Sequence, residues 1–155
     1  MQINETKIMV NSLDEMNKLA SKIASTSKNG DVIALKGNLG AGKTSFAQAF
    51  INSLSTLHQH VTSPTFNIMQ LYDLEEGQTV CHCDFYRLKQ ADEYFDLGLE
   101  DIIPNSITLI EWPEIAEEYL PKDIKTIGYE LKGKYFDLLE EYNKSNNQLI
   151  IEKDA

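Results

Sequence analysis

Arginine is nearly absent from this 155-residue chain, because Arg87 is the only arginine among its 14 basic residues. The chain has 24 acidic residues, which gives it a formal net charge of −10. Affinity for nucleic acid comes largely from Lys and Arg side chains that neutralise phosphates. We therefore do not expect the chain to hold RNA or DNA by itself, whereas docking on a basic protein surface would suit its charge.

Long apolar runs are also absent. No segment approaches the ~20 apolar residues that a membrane-spanning helix requires, and the first ten residues lack a basic-then-apolar signal pattern. We therefore expect a cytoplasmic protein with no membrane partner. The length and the ordinary globular composition predict a single domain over residues 1–155.

Cysteine is scarce, and the only two cysteines are Cys81 and Cys83. On a strand these two side chains share one face, and a disulfide between such close neighbours would be strained. His82 would then point to the opposite face, so a zinc site at 81–83 is not favoured. We predict two packed strand residues.

The spacing of apolar residues predicts alternating strands and helices. Ser12 and Glu15 form a capping-box pattern before the first helix. The predicted helices cover 13–26 and 45–54, with short helices over 92–97 and from 113 to about 119. The predicted strands cover 32–35, 66–72, 79–86, 107–110, 123–131 and 148–152, with a loop over 58–64 and a turn over 75–78. This order indicates an α/β fold, a sandwich of the P-loop NTPase type, with a mixed, partly parallel sheet and an antiparallel hairpin.

Residues 37–44 read G-N-L-G-A-G-K-T and match the phosphate-loop pattern G-x-x-x-x-G-K-[ST] completely. The glycines allow backbone N–H groups to face phosphate oxygens, and the following helix adds unsatisfied donors and the positive end of its dipole. Lys43 is expected between the β- and γ-phosphates, and the Thr44 hydroxyl is expected to ligate Mg²⁺. The strand before the loop and the helix after it argue against a chance match. The predicted nucleotide-binding residues of this segment are Gly37, Asn38, Leu39, Gly40, Ala41, Gly42, Lys43, Thr44 and Ser45.

Two acidic residues are candidates for the carboxylate that a P-loop enzyme needs near its metal ion. Glu111 directly follows the apolar strand 107–110, and Asp84 lies in the segment H-C-D-F-Y-R at 82–87. If that segment is a strand, Asp84 shares a face with His82 and Tyr86. A solvated charge at a strand end is the alternative for either acid.

Trp112 and the segment T-S-P-T at 62–65 each have two interpretations. Trp112, the only tryptophan, either stacks on a base or covers the core. The three hydroxyls at 62–65 either contact a γ-phosphate, in a loop that moves when the phosphate leaves, or form an ordinary turn.

Four segments together resemble the bacterial tRNA threonylcarbamoyladenosine biosynthesis ATPase family, TsaE or YjeE. They are G-N-L-G-A-G-K-T at 37–44, T-S-P-T-F at 62–66, H-C-D-F-Y-R-L at 82–88 and L-I-E-W-P at 109–113. The resemblance covers about residues 13–121. It implies a small ATPase that uses ATP and Mg²⁺ and assists N6-threonylcarbamoylation of adenosine 37 in tRNA. It also implies a complex with the TsaB and TsaD proteins, with tRNA contacted only through these partners.

The resemblance also implies a role for each matching residue. Lys43 and the loop amides would hold the phosphates, Thr44 and Glu111 would hold Mg²⁺, and Asp84 would support hydrolysis through the metal or the attacking water. The candidate catalytic residues are thus Lys43, Asp84 and Glu111, and the candidate metal ligands are Thr44, Glu111 and Asp84. Further nucleotide contacts are implied for Thr62, Ser63 and Thr65 in a sensing loop, for Trp112, and for Glu15 on the first helix.

Two other functions remain open at the level of the sequence. A small-molecule P-loop kinase commonly clamps the transferred phosphoryl group with several arginines, which this chain lacks. A nucleotide-gated binding module without turnover is the other alternative. A GTPase is disfavoured, because Asn143-Lys144-Ser145-Asn146 lacks the aspartate of an N-K-x-D motif. With only one arginine, we expect slow intrinsic ATP hydrolysis that depends on partner proteins.

Overall fold

Eight strands form one mixed sheet in the part of the chain that the computed structural model describes, namely residues 4–10, 13–37, 43–56, 61, 68–122, 124–131, 136–138 and 147–153. The strands are β1 (Asn4–Val10), β2 (Val32–Gly37), β3 (Met69–Asp73), β4 (Thr79–Asp84), β5 (Ile107–Glu111), β6 (Lys125–Leu131), β7 (Phe136–Leu138) and β8 (Asn147–Lys153). The helices are α1 (Leu13–Thr26), α2 (Lys43–Ser53) and the short α3 (Leu99–Ile102). Short 3-10 helices cover Glu75–Gly77, Phe85–Arg87, Ala91–Leu97, Ile103–Asn105 and Pro113–Tyr119.

The sheet order is β1-β7-β8-β6-β2-β5-β4-β3. Strands β8, β6, β2, β5 and β4 run parallel to their neighbours in that order, and β1 also pairs with β8 in parallel. The edge strand β3 pairs with β4 in the antiparallel direction, and β7 pairs in this way with β1 and β8. The central position of β2 and β5 explains why their sequences are apolar, since parallel strands are covered on both faces.

One face of the sheet is covered by α1 and α2. The buried residues of α1 recur at the spacing of one helical face, and α2 contributes two buried phenylalanines. They pack against every second residue of the neighbouring strands, including Ile33 on β2 and Leu109 on β5. The buried residues of these two helices are Met16, Leu19, Ala20, Ile23, Ala24, Phe46, Ala47, Phe50 and Ile51.

The other face of the sheet is covered by the short helices after β4 and β5. Phe85, Tyr94 and Leu99 pack there with the alternate strand residues, among them Cys83 and Ile110. Helices on both faces of a partly parallel sheet, with the β3–β4 hairpin at one edge, confirm the predicted α/β sandwich.

Most predicted elements are present with altered ends. The helix predicted over 45–54 begins two residues earlier, at Lys43, and the strand predicted over 66–72 is observed as Met69–Asp73, with 66–67 outside the described residues. The strand predicted over 79–86 ends at Asp84, so its last two residues were wrongly assigned. The Asp84 side chain accepts a hydrogen bond from the Tyr86 backbone N–H at 3.0 Å, and this bond caps a 3-10 turn in place of further strand.

The two short helices predicted around 92–97 and 113–119 form as 3-10 helices. Gly98 ends the first of them in the left-handed region, with φ 73°, as expected for a glycine at a helix end. The predicted loop over 58–64 is described only at Val61, and Ser12 of the capping pattern lies outside the described residues. Strands β1 and β7 and helix α3 were not predicted. Among the described residues, no helix is both long and apolar enough to cross a membrane.

Candidate functional site

The carboxyl ends of three neighbouring parallel strands meet at one edge of the sheet. β2 ends at Gly37, β5 at Glu111 and β4 at Asp84. In the sheet register, Glu111 lies beside Leu35 on one side and beside Asp84 on the other. In open α/β sheets, ligands bind in the crevice outside the carboxyl ends of such strands.

The phosphate-loop motif joins the central strand to the helix that covers it. Gly37 is the last residue of β2, and Lys43 is the first residue of α2. The strand before the motif and the helix after it are therefore confirmed, and they bring the N-terminus of α2 to this edge. Residues 38–42 of the motif lie outside the described part of the chain.

Thr44 and Glu111 are brought together at this edge, although 67 positions separate them in the sequence. The Thr44 Oγ1 atom lies 3.3 Å from Glu111 Oε1 and 3.4 Å from Oε2. Glu111 has only 3% of its surface exposed, so its carboxylate is held inside the protein next to the helix that begins at Lys43. The predicted position of Glu111 at the end of an apolar strand is confirmed, and its side chain faces the motif.

His82 is the second partner of Glu111. Its Nε2 atom lies 2.6 Å from Glu111 Oε2, and the residue is completely buried. No residue that the structure describes is hydrogen-bonded to the other ring nitrogen, Nδ1. The sequence analysis placed His82 on the same strand face as Asp84 and Tyr86 but assigned it no role in the site. The available signal was the shared face of His82 and Asp84, which points both side chains toward the same side of the sheet.

Asp84 lies directly beside Glu111 in the register of β4 and β5. It is half-buried, and its Oδ1 atom accepts the Tyr86 backbone N–H. This bond fixes the rotamer of the carboxylate at the end of the strand. The structure thus places Asp84 at the same edge as Thr44 and Glu111, while its role in chemistry stays a prediction.

Trp112 follows Glu111 with an unusual backbone conformation. Its φ of 57° and ψ of 51° lie in the left-handed region, which a bulky residue rarely adopts. The half-buried indole packs on the core under the second sheet face and lies with its ring centroid 5.0 Å from that of Tyr86. Tyr86 is 53% exposed, so this aromatic pair borders the solvent. Trp112 thus packs against the core, in line with one of its two interpretations, while the implied nucleotide contact stays a prediction.

The remaining predicted residues are distributed as follows. Ser45 is half-buried in the first turn of α2, and Glu15 is exposed in the first turn of α1. Thr62, Ser63 and Thr65 lie outside the described residues, as do Asn38, Leu39, Gly40, Ala41 and Gly42. Within the described ranges, no group of three or more His, Cys, Asp and Glu side chains forms a metal cluster.

The two cysteines lie on the face of β4 opposite His82. Both are buried and reduced, with their Sγ atoms 3.6 Å apart, which confirms that they share one face. The hydrogen bond with the Cys81 thiol and burial together hold the pKa of Cys83 well above its ordinary range. Cys83 therefore stays protonated, and both cysteines serve as packed core residues.

Comparisons with known proteins agree on one family. The sequence model of "Threonylcarbamoyl adenosine biosynthesis protein TsaE" matches residues 10–136. The chain is 37% identical over 131 residues to the tRNA threonylcarbamoyladenosine biosynthesis protein TsaE of Rickettsia bellii, covering 84% of this chain and 90% of that protein. It is 33% identical over 148 residues to the Bacillus subtilis protein of the same name, covering 86% of this chain and 91% of the relative.

A solved structure also matches the fold. The crystal structure of Bacillus subtilis YdiB superposes with a TM-score of 0.62 at 27% sequence identity, over all of this chain and 81% of that chain. The family match covers most of the chain and includes Thr44, His82 and Glu111. The chain therefore belongs to the TsaE family.

Proposed function

We propose that this protein binds and slowly hydrolyses Mg-ATP in the N6-threonylcarbamoylation of tRNA adenosine 37, acting with the TsaB and TsaD proteins in the cytoplasm. The observation that carries the proposal is the contact between Thr44 and Glu111. It joins the last residue of a complete phosphate-loop motif to a buried carboxylate at the end of the neighbouring strand. Family membership supports the pathway, because relatives carry the name of this modification.

The oxygen atoms at this edge fit a magnesium ion. Mg²⁺ prefers oxygen ligands at 2.0–2.1 Å in an octahedron, so two adjacent ligand atoms lie about 2.9 Å apart. The Thr44 hydroxyl and the nearer Glu111 oxygen are 3.3 Å apart, within a few tenths of that spacing. Such a site uses one or two carboxylates together with substrate phosphates, which agrees with the lack of a larger cluster of ligands among the described residues. When bound, the ion would neutralise charge on the phosphates.

The other roles in nucleotide binding and hydrolysis belong to residues of the chain itself. Lys43 and the N-terminal amides of α2 hold the phosphates electrostatically, because both present positive charge to them. Asp84, fixed at the neighbouring strand end, orients the attacking water or supports the metal ion. Thr62, Ser63 and Thr65 sense the γ-phosphate, and Trp112 and Glu15 approach the nucleoside. Ser45 adds its amide in the first turn of α2.

Slow turnover follows from the scarcity of arginine. A positioned arginine accelerates phosphoryl transfer by ~10³–10⁵ in related enzymes, and this chain has only Arg87, in the turn after β4. We therefore expect ATP hydrolysis to be weak for the isolated protein and to rise with TsaB and TsaD. A phosphorylated small molecule would instead indicate a kinase, and tight ATP binding without turnover under either condition would indicate a gated binding module.

Substitution of Lys43 and Glu111 tests the site. Lys43→Ala, Glu111→Ala and Glu111→Gln are each expected to lower ATP hydrolysis at least ~100-fold. Lys43 is proposed to present positive charge to the phosphates, and Glu111 is proposed to hold the metal ion that neutralises their charge. Glu111→Gln keeps the volume of the side chain and an acceptor for His82, so the fold should be retained even if the alanine variant is unstable. Hydrolysis is measured with and without TsaB and TsaD.

The matched control is Glu114→Gln, which removes an exposed carboxylate three residues further along the chain. It should hydrolyse ATP at the wild-type rate. Wild-type turnover in Lys43→Ala or in Glu111→Gln would show that the site has been assigned to the wrong residues.

A further inference from the structure

The Glu111 carboxylate is more deeply buried than a metal ligand on the protein surface would be. It is 3% exposed, and its Oε2 atom lies 2.6 Å from the Nε2 atom of a completely buried histidine. A carboxylate taken out of water is stable only when donors satisfy it. His82 is in position to provide such a donor to Glu111.

The hydrogen-bonding groups around His82 determine its tautomer. A hydrogen on Nδ1 would leave the lone pair of Nε2 facing a carboxylate oxygen at 2.6 Å, and the buried Nδ1–H would have no acceptor among the described residues. A hydrogen on Nε2 donates directly to Glu111 and leaves only a lone pair at Nδ1. An unmade buried donor and a repulsive contact are both costly, so the Nε2–H form is favoured.

The strand geometry directs this hydrogen bond along the sheet. His82 lies opposite Leu109 in the register, two residues before Glu111, and its side chain is on the same face. The imidazole therefore extends toward the carboxyl end of β5, where it contacts the Glu111 carboxylate from its buried side. Thr44 contacts the same carboxylate from the beginning of α2. The rotamer of Glu111 is fixed between these two groups.

We propose that His82 is a positioning residue, which donates from Nε2 to Glu111 and holds its carboxylate oriented toward Thr44 for Mg²⁺. The inference rests on the proposed function for its connection to Mg-ATP, but the tautomer and the hydrogen bond are properties of the protein alone. Residues that orient a metal ligand from behind typically contribute 10–100-fold to metal affinity or activity.

The experiment compares His82→Phe with His82→Gln. Phenylalanine fills the buried space without a donor, whereas glutamine places an amide N–H near the position of Nε2. The Mg²⁺ concentration that gives half-maximal ATP hydrolysis should rise about 10–100-fold in His82→Phe and stay near the wild-type value in His82→Gln. Binding of ATP in the presence of EDTA should be similar in all three proteins.

Thr108→Val is the matched structural control. Thr108 is buried near the other end of β5, the strand that carries Glu111, and its hydroxyl is 3.2 Å from that of Ser106. This variant should lose thermal stability without any change in Mg²⁺ dependence. If His82→Phe likewise loses stability but needs no more Mg²⁺ than the wild type, His82 is a core residue and the inference is wrong.

A second measurement does not depend on activity. Nitrogen NMR of protein labelled at histidine should show the Nε2–H tautomer for one histidine, and the His82→Gln spectrum identifies that signal by its loss. The Nε2–H proton should shift strongly in Glu111→Ala. A protonated Nδ1 with bare Nε2 would overturn the inference whether or not the protein hydrolyses ATP. Conversely, the expected tautomer in a protein without hydrolysis would reject the proposed function and leave the hydrogen bond established.

Discussion

At the scale of single residues, the candidate site depends on contacts that satisfy a buried acid. Glu111 is hydrogen-bonded to a histidine from β4 and lies beside a hydroxyl from α2. An isolated buried carboxylate would be strongly destabilising, so each neighbour contributes to the stability of the fold as well as to the geometry of the site. Removing either neighbour should therefore affect both the stability of the fold and the geometry of the site.

The Thr44 hydroxyl provides a test at this scale. Thr44→Ala removes the hydroxyl and should lower ATP hydrolysis at least tenfold at limiting Mg²⁺, on the order expected for a group near the metal. Thr44→Ser keeps the hydroxyl and should stay near the wild-type rate. Initial rates are measured across a series of Mg²⁺ concentrations.

The control for this comparison is Ser53→Ala, at the other end of α2. The Ser53 hydroxyl donates to the Phe50 carbonyl at 2.7 Å, within its own helix. This variant should show wild-type hydrolysis at every Mg²⁺ concentration. Equal rates for Thr44→Ala and Thr44→Ser would contradict a role for the hydroxyl.

Sequence patterns predict part of this geometry and miss the rest for a clear reason. An acid after an apolar strand and a threonine at the end of a glycine-rich loop are local signals, and Thr44 and Glu111 do meet. His82 donates to a residue 29 positions away, and only the pairing of β4 with β5 brings them together. Such a contact between strands has no local signature.

At the scale of elements, the side chains of β4 alternate between two different environments, one on each face of the sheet. His82 points toward the site and the α1–α2 layer, whereas Cys81 and Cys83 point into the core on the opposite face. The alternation was predictable because side chains on a strand have a period of two. The end of the strand was not predictable in this way. The Asp84 side chain accepts a hydrogen bond from the Tyr86 backbone N–H, and the chain turns two residues earlier than the pattern predicts.

Cys83, on β4, should make the stability of the protein depend on alkaline pH. The hydrogen bond with Cys81 and burial raise the pKa of Cys83 in the folded protein. Above the ordinary thiol pKa of about 8.5, the unfolded chain loses this proton while the folded chain keeps it. The unfolded state then binds fewer protons, so the free energy of unfolding falls as the pH rises toward the raised pKa.

Urea unfolding at successive pH values checks this expectation. The wild type should lose stability steadily above about pH 8.5, and Cys83→Ala should show a shallower decline, although it is less stable at neutral pH because of the missing sulfur. Parallel declines in the two proteins would show that other groups cause the alkaline loss.

The two strands that sequence patterns missed depend on pairing between distant parts of the chain. β1 has a largely polar sequence, N-E-T-K-I-M-V, and pairs with β7 and β8 from the other end of the chain. β7 is only three residues long. In contrast, α1, β2 and β5 have strong local apolar patterns and were predicted within two residues of their observed ends.

At the scale of the whole molecule, the net charge of −10 is the feature that most affects encounters with other proteins. A charge of this size attracts basic surfaces and repels nucleic acid. The proposed partners should therefore present basic residues to this protein, and tRNA should be reached through them.

Salt dependence tests this expectation. Binding of the protein to TsaB and TsaD should weaken as NaCl rises, because the Debye length shortens from ~30 Å at 0.01 M to ~10 Å at 0.1 M. Surface plasmon resonance can follow the effect, which should appear mainly in the association rate. An affinity that is constant from low to high salt would indicate an apolar interface instead. Weak tRNA binding by the isolated protein is the accompanying control.

The left-handed residue after β5 has a practical consequence. Trp112 is the only indole of the chain, one peptide bond from Glu111 and in contact with the half-exposed ring of Tyr86. Its fluorescence therefore reports on the edge of the sheet where the phosphate loop ends, without an introduced dye. Under the proposed function, we expect ATP to change this fluorescence, and a nucleotide titration of the unmodified protein measures the change.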